Sequence, residues 1–396
     1  MNASDTDIGS NIGRDTGADM SADMSADTGA DTDNYAQLFL NDTPMIDTRA
    51  PVEFAKGAFP QSINLPLMSD QEREQVGTCY KRKGQQAAIE LGHQLVSGEL
   101  KEQRVAAWSD FARHHPEGHI YCFRGGLRSH TSRQWMRDAG VEFPLIKGGY
   151  KAMRRFLLEL LDSEAERRPW LILSGRTGTG KTRVIDRIPA SVDLEGLANH
   201  RGSSFGRRVT PQPRVINFEN ALAIKLLKLQ QSTEGPLMLE DESHLIGSLA
   251  LPLSLYAAMG QAPIALLEEP MSLRVDQVKA DYVDDLAAEY VDHYGPEQGL
   301  QQYAEYMLAS LGRVRKRLGG ERYQLIEEQM QAALQQHLQQ GQTDLHRIWI
   351  EAMLSQYYDP MYDYQLSKKS DRLIFKGNQA DVLEWFTQYR DDYSPA

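Results

Sequence analysis

Apolar positions along the chain fall in short runs, each followed by a stretch with helical spacing, and this alternation predicts an α/β protein. Met45-Ile46-Asp47 reads as a buried strand, and Thr48-Arg49-Ala50-Pro51 turns it into a helical Val52-Glu53-Phe54. A second strand, His119 to Cys122, ends in Arg124-Gly125-Gly126, and helical spacing resumes from Ser129 through Ala139. The polar run 162–169 closes on Pro169 and predicts a linker. Trp170 to Ser174 then opens a second α/β unit, with further strands expected at Leu237–Glu240 and Pro263–Glu268. From about Val275 the chain is rich in Gln, Leu, Tyr and Ala with few turn signals, which predicts a helical C-terminal extension. The expected organisation is a polar tail over 1–34, one α/β domain over 35–160, a second over 168–274, and helices over 275–396.

Charge changes this picture in one place. The net charge of −12 is uneven: residues 1–34 hold eight aspartates, no glutamate and only Arg14 as a base. Their Ala-Asp-Met-Ser and Ala-Asp-Thr-Gly repeats lack aromatics and cannot offset the entropy of ordering, so a disordered tail is expected. The remaining chain is nearly balanced, and the acidic total does not exclude a nucleic-acid partner. No apolar stretch is long enough for a membrane span, and the N-terminus lacks the basic and apolar regions of a cleaved signal. Two cysteines, Cys79 and Cys122, cannot build a disulfide framework. The expectation is a cytoplasmic monomer.

Gly175-Arg176-Thr177-Gly178-Thr179-Gly180-Lys181-Thr182 matches the phosphate-binding pattern G-x-x-x-x-G-K-[ST], after an apolar strand and before a helical run. Gly175, Gly178 and Gly180 let backbone N–H groups converge on phosphate oxygens at a helix N-terminus. Lys181 adds positive charge, and the Thr182 hydroxyl can ligate Mg²⁺. Glu240-Asp241-Glu242 follows an apolar strand, as a metal-orienting carboxylate would, with Asp241 and Glu242 the better candidates. Any diphosphate would suit such a loop. No His/Cys spacing predicts a zinc site, and no redox cofactor is expected.

Cys122-Phe123-Arg124-Gly125-Gly126-Leu127-Arg128-Ser129 lies between a strand and a helix. Converging N–H groups, the helix N-terminus and the guanidinium groups of Arg124 and Arg128 favour the nucleophilic thiolate at Cys122. Gly125 and Gly126 would let the loop wrap an anion. Cys79 reads as an ordinary packed cysteine.

Asp47-Thr48-Arg49-x-Pro51-x-Glu53-Phe54, followed by Gly57-Ala58-Phe59-Pro60-x-Ser62-Ile63-Asn64-Leu65-Pro66, resembles the opening signature of rhodanese sulfurtransferase domains. Their loops usually read Cys-x-x-Gly-x-Arg, whereas Arg128 here follows Cys122 after five intervening residues. That wider spacing is also the cysteine-phosphatase length, although Tyr121 replaces the histidine usual before their cysteine. A rhodanese-like domain fused to a phosphate-loop domain resembles the bacterial tRNA 2-selenouridine synthase family. Gly148-Gly149-Tyr150-Lys151, the stretch Asp193 to Gly206, and Glu240-Asp241-Glu242-Ser243 carry the same resemblance.

The resemblance implies tRNA as substrate, with wobble 2-thiouridine converted to 2-selenouridine. It implies S-geranylation from geranyl diphosphate, then selenation from selenophosphate through a Cys122 S-selanylcysteine, with Arg124 and Arg128 on the phosphate. Leu245 to Leu253 could line a prenyl slot, although apolar runs more often pack in a core. Arg201, Arg207, Arg208 and Arg214 lie in an acid-free, Gly-rich loop containing Phe205, which suits RNA backbone contact and base stacking. Arg313, Arg315, Lys316 and Arg317 form a second basic cluster on a predicted helix. The rival functions are a phosphate-loop kinase or ATPase with a rhodanese-like module, and a cysteine phosphatase.

Overall fold

A computed structural model describes residues 31–393. Three short parallel strands, β1 (Met45–Asp47), β2 (Ser62–Asn64) and β3 (His119–Tyr121), form a sheet in the order β2-β1-β3. Parallel bridges from Ile120 to Leu145 and from Thr32 to Ile146 extend it. Side chains alternate across this sheet. Ile46 and Ile120 pack with Trp108, Trp135, Met136 and Phe143 on one face. Met45 and Tyr121 face Phe39, Phe59 and Ile146 on the other.

Most of the expected tail lies outside the described residues, but its last four residues are bound to this sheet. Asp31 pairs with the Arg133 guanidinium at 2.9 Å and accepts the Leu145 N–H at 2.8 Å. Asn34 caps the helix Tyr35–Leu40. A nearly buried arginine and an edge N–H without a strand partner are what hold this polar segment in place.

The second sheet contains β4 (Trp170–Gly175), β5 (Ser191–Val192), β6 (Leu237–Glu240), β9 (Ile264–Leu267) and β10 (Leu373–Gly377). Between β6 and β9 lies a small hairpin of β7 (Leu245–Ile246) and β8 (Leu249–Ala250). All five sheet strands are parallel, in the order β10-β9-β4-β6-β5. The chain therefore leaves β4 toward one edge and later returns to its other side. This places a topological switch point at the carboxyl end of β4, where α/β sheets bind ligands.

Two expectations about organisation need correction. Residues 162–167 are not a linker but the end of helix Gly149–Arg167, because Leu157, Leu161, Glu164 and Ala165 continue its buried face. Pro169 ends the helix, and Arg168 pairs with Glu164 at 2.7 Å. The C-terminal region is not helical throughout either. β10 adds the edge strand beside β9, and helix Gln379–Asp391 packs over it, with Trp385 stacked on Phe375 at 4.4 Å.

The two α/β units share one continuous apolar core. Polar contacts reinforce the join: Asn217 accepts the Ala58 N–H at 2.9 Å, and Asn220 donates to Ala58 O at 2.8 Å. Between β9 and β10, helices Met271–Lys279, Asp285–Tyr294, Pro296–Leu318, Gly320–Gln340, His346–Met353 and Asp359–Ser367 build a separate helical core. Two π-turns, Ala280–Asp284 and Leu354–Tyr358, interrupt this array. Phe205 of the second α/β unit inserts into it.

Candidate active sites

Gly175 ends β4, and the loop runs through Gly178 and Gly180 into helix Lys181–Arg187. Both latter glycines are left-handed, with φ of 83° and 79°. A Cβ on Gly178 would lie 2.7 Å from Arg274 O, and one on Gly180 would lie 2.6 Å from Gln379 Nε2. Conformation requires glycine at both, and the approach of the Arg274 backbone requires it again at Gly178. Lys181 Nζ donates to Gly175 O at 2.9 Å and approaches the Tyr362 hydroxyl at 3.5 Å.

The carboxylate beside Thr182 is Glu240, in place of the expected Asp241 or Glu242. Thr182 Oγ1 donates to Glu240 Oε1 at 3.1 Å and lies 3.5 Å from Glu195 Oε2. Strand alternation explains the difference: Glu240 and Glu242 share one side of the chain and Asp241 takes the other. Asp241 accepts from Ser174 Oγ at 2.7 Å and pairs with Lys369 at 2.6 Å. Glu242 keeps a place in the site, near Glu195 and Lys181.

Burial, then Glu242, pushes the Glu195 carboxyl up to about 8. Burial, then Glu195, does the same at Glu240, and burial followed by Glu240 raises Glu242 to about 7. Burial alone would lower the Lys181 ammonium, but Tyr362 and the three carboxylates hold it above its usual value. A hard cation suits this excess of oxygen donors. Among the described residues, no three His, Cys, Asp or Glu side chains are arranged to hold a metal alone. Thr182 and Glu240 are the side chains that would hold such a cation, a Mg²⁺ by the chemistry of their oxygens.

The helical region closes over the same loop. Arg274 donates from Nε to Thr177 O at 2.9 Å while its other nitrogens grip Asp359. Arg176 pairs with Asp363 at 2.7 Å, and Gln379 donates to Thr179 O at 3.0 Å. Nothing local in the sequence marks Tyr362, Arg274 or Gln379 as site residues, whereas Glu195 lies in the stretch Asp193 to Gly206 that carries the family resemblance.

In the thiol loop, Cys122 is buried directly after β3. Ser129, the third residue of helix Leu127–Asp138, donates from Oγ to Cys122 Sγ at 3.2 Å. Gly125 is left-handed (φ 65°) and packs on Gly148 and Gly149. Tyr150 N and Lys151 N donate to Cys122 O and Phe123 O, both at 2.9 Å. Gly126 caps the helix Leu127–Asp138, and Arg124 lies 6.0 Å from the Phe123 ring. Arg128, expected on the anion, instead pairs with Glu53 at 2.6 Å. Burial would raise the Glu53 carboxyl, but Arg128 outweighs it and holds the group below its usual range. This pair clamps helix Leu127–Asp138 to the short helix Pro51–Phe54, while the Arg128 charge still lies close enough to interact with Cys122.

The basic loop is also partly committed. Arg201 and Arg208 both pair with Glu289, at 3.6 and 2.8 Å, and Phe205 is buried 6.1 Å from Trp349. Phe205 is therefore core and not a platform for a base. Arg207 and Arg214 are exposed. Arg313 donates to Ser204 O at 2.8 Å, so the two basic segments adjoin. Ile246, Leu249 and Leu251 pack in the main core, whereas Leu245 and Leu253 are exposed. Cys79 is half-buried on helix Asp70–Lys83.

A family model described as the tRNA 2-selenouridine synthase AAA domain matches residues 168–392. The chain is 55% identical to a tRNA 2-selenouridine synthase from Marinobacter nauticus, over 89% of this chain and 96% of that protein. A Pseudomonas fluorescens protein of the same name is 54% identical, over 90% of this chain and 97% of its own. Among solved structures, the N-terminal domain of a putative ATP/GTP binding protein from Clostridium difficile 630 is 34% identical. That match covers 30% of this chain and 90% of that chain, with a TM-score of 0.28, too low to bear on the fold.

Proposed function

The chain belongs to the tRNA 2-selenouridine synthase family, and from that premise we propose that it replaces the sulfur of a wobble 2-thiouridine in tRNA with selenium. The observation that carries this reading is the pairing of two anion-handling loops, each at the end of a parallel strand, on one shared core.

The first step is S-geranylation at the phosphate loop. The 2-thio sulfur attacks C1 of geranyl diphosphate, the C–O bond breaks, and pyrophosphate leaves. Loop N–H groups and Lys181 stabilise the departing charge. A Mg²⁺ held by Thr182 and Glu240 would supply further charge neutralisation. The second step exchanges the geranylthio group for selenium. Geranylthio-tRNA, selenophosphate and water give selenouridine-tRNA, geranylthiol and phosphate: water takes the phosphoryl group, the selenide so released attacks C2 of the base, and geranylthiolate leaves. Cys122 holds the selenium donor at the loop, with Ser129 fixing its sulfur and the loop backbone and Arg124 binding the phosphate. Exposed Arg207 and Arg214 contact the tRNA backbone.

The test is a pair of variants assayed by mass spectrometry of tRNA nucleosides. Cys122→Ser should abolish selenation and spare geranylation, while Lys181→Ala should abolish geranylation. Equal loss of both steps in Cys122→Ser would refute two separate sites. ATP turnover without tRNA, unaffected by Cys122→Ser, would favour a kinase or ATPase instead.

A further inference from the structure

Beside the phosphate loop lies a cavity of about 460 Å³. Leu266, Leu267, Pro270, Tyr362 and Leu366 form its apolar wall, and Thr179 of the loop forms its inner end. Tyr362 belongs to two surroundings at once: it lines the cavity, and its hydroxyl lies 3.5 Å from Lys181 Nζ. A diphosphate seated on the loop would therefore have its remaining substituent beside this opening.

The charged groups in the wall are already engaged. Arg176 holds Asp363, Arg274 holds Asp359 and Thr177 O, and Glu268 pairs with Lys376 at 2.8 Å. Glu269 accepts the Gln379 N–H at 3.0 Å, and the Asn378 side-chain oxygen caps the following helix. A nucleobase needs donors and acceptors to be read. Most of the charged groups here are paired with one another, and Pro270, Tyr362 and Leu366 offer apolar surface between them.

We propose that this cavity holds the hydrocarbon chain of the prenyl diphosphate, and that Leu366 and Tyr362 set the chain length accepted. The proposal rests on the phosphate-loop reading above. It also replaces the slot expected from Leu245 to Leu253, whose inward residues are filled core. At roughly the 30 Å³ per heavy atom that water occupies, ten carbons need about 300 Å³. They fit the cavity, as does a chain of fifteen at about 450 Å³, and a chain of twenty, at about 600 Å³, does not. Each buried CH₂ contributes about fourfold in affinity, so dimethylallyl diphosphate, five carbons shorter, should bind on the order of 1000-fold more weakly than geranyl diphosphate.

The experiment measures KM for geranyl diphosphate, with inorganic pyrophosphate as competitor, in the full-length protein. Leu366 is only half-buried on helix Asp359–Ser367, so replacing it does not open the core. Leu366→Trp should raise KM about tenfold or more while the pyrophosphate inhibition constant stays put. Leu366→Ala should extend the accepted length toward geranylgeranyl diphosphate. An unchanged KM and chain-length preference in both variants, with pyrophosphate still competing, would overturn the proposal. So would tight binding of ATP or GTP that Leu366→Trp removes, which would assign the cavity to a nucleoside. Failure of pyrophosphate to compete in the unsubstituted protein would instead refute the phosphate-loop reading on which the proposal depends.

Discussion

Gly149→Ala is the most exacting probe of the thiol loop. Gly149 adopts φ 56°, and a Cβ there would lie inside 3.0 Å of Cys122 O and 2.5 Å from Gly125 N. Both obstacles are backbone, so no side chain can swing aside. Two costs follow. The left-handed conformation disfavours alanine by about 1 kcal/mol, and forcing a methyl into a closed contact costs about 1–3 kcal/mol. Gly140→Ala separates them, because Gly140 has φ 81° with nothing within 4 Å of its added Cβ. The expected result is a loss of about 2–4 kcal/mol for Gly149→Ala against about 1 kcal/mol for Gly140→Ala. In thermal denaturation this corresponds to a drop of roughly 3–5 °C for Gly149→Ala. Where the loop yields instead, Cys122 moves by about an ångström, and selenation should fall about 100-fold. Geranylation at 25 °C should persist. A Gly149→Ala protein with the melting temperature of Gly140→Ala and full selenation would refute the packing argument.

Two further predictions use charge. Glu240→Gln keeps the shape of the side chain but removes the carboxylate at Thr182, so geranylation should fall about 100-fold and lose its response to added Mg²⁺. Because burial and Glu195 push the Glu240 carboxyl up to about 8, the same variant should melt higher than the parent in metal-free buffer above pH 7; a lower melting temperature would count against the strain. His346 is fully buried, accepts from Trp349 Nε1 at 2.9 Å, and is held near 4 by desolvation. The folded protein thus resists its protonation, and the stability from the neutral ring, full above pH 6.5, should decline by about 3 kcal/mol as pH falls toward 4. Denaturant titrations of His346→Gln should show a flatter pH dependence over that range, and parallel curves would contradict the assignment.

The sequence was most legible where a motif is local. Strand, loop and helix around Gly175 to Thr182 follow one another in the chain, as do β3, the thiol loop and the helix after it. The misjudged boundaries share a physical cause: their determinants lie elsewhere. Residues 162–167 look like a linker until Leu157 and Leu161 supply the face that Glu164 and Ala165 continue. Leu373 to Gly377 cannot announce itself as a strand of a sheet whose neighbour, β9, ended more than a hundred residues earlier.

The site residues show the same division more sharply. Arg128 sits where a phosphate-binding arginine would, yet its charge is shared between Cys122 and Glu53, some seventy residues upstream. Arg201 and Arg208 look free for RNA until Glu289 arrives from a distant helix. Local composition thus overstates the number of available cations. The strand-end acids have the opposite problem. Their chemistry depends on a period of two, and moving by one residue exchanges the group beside Thr182 for one beside Lys369. Glu195 then completes the site from a segment with no phosphate-binding signature, through its contact with Thr182. The motif identifies where phosphate should sit, but the charge that balances it is set by tertiary contacts, and the Glu240→Gln and Leu366→Trp variants probe those contacts separately from the motif.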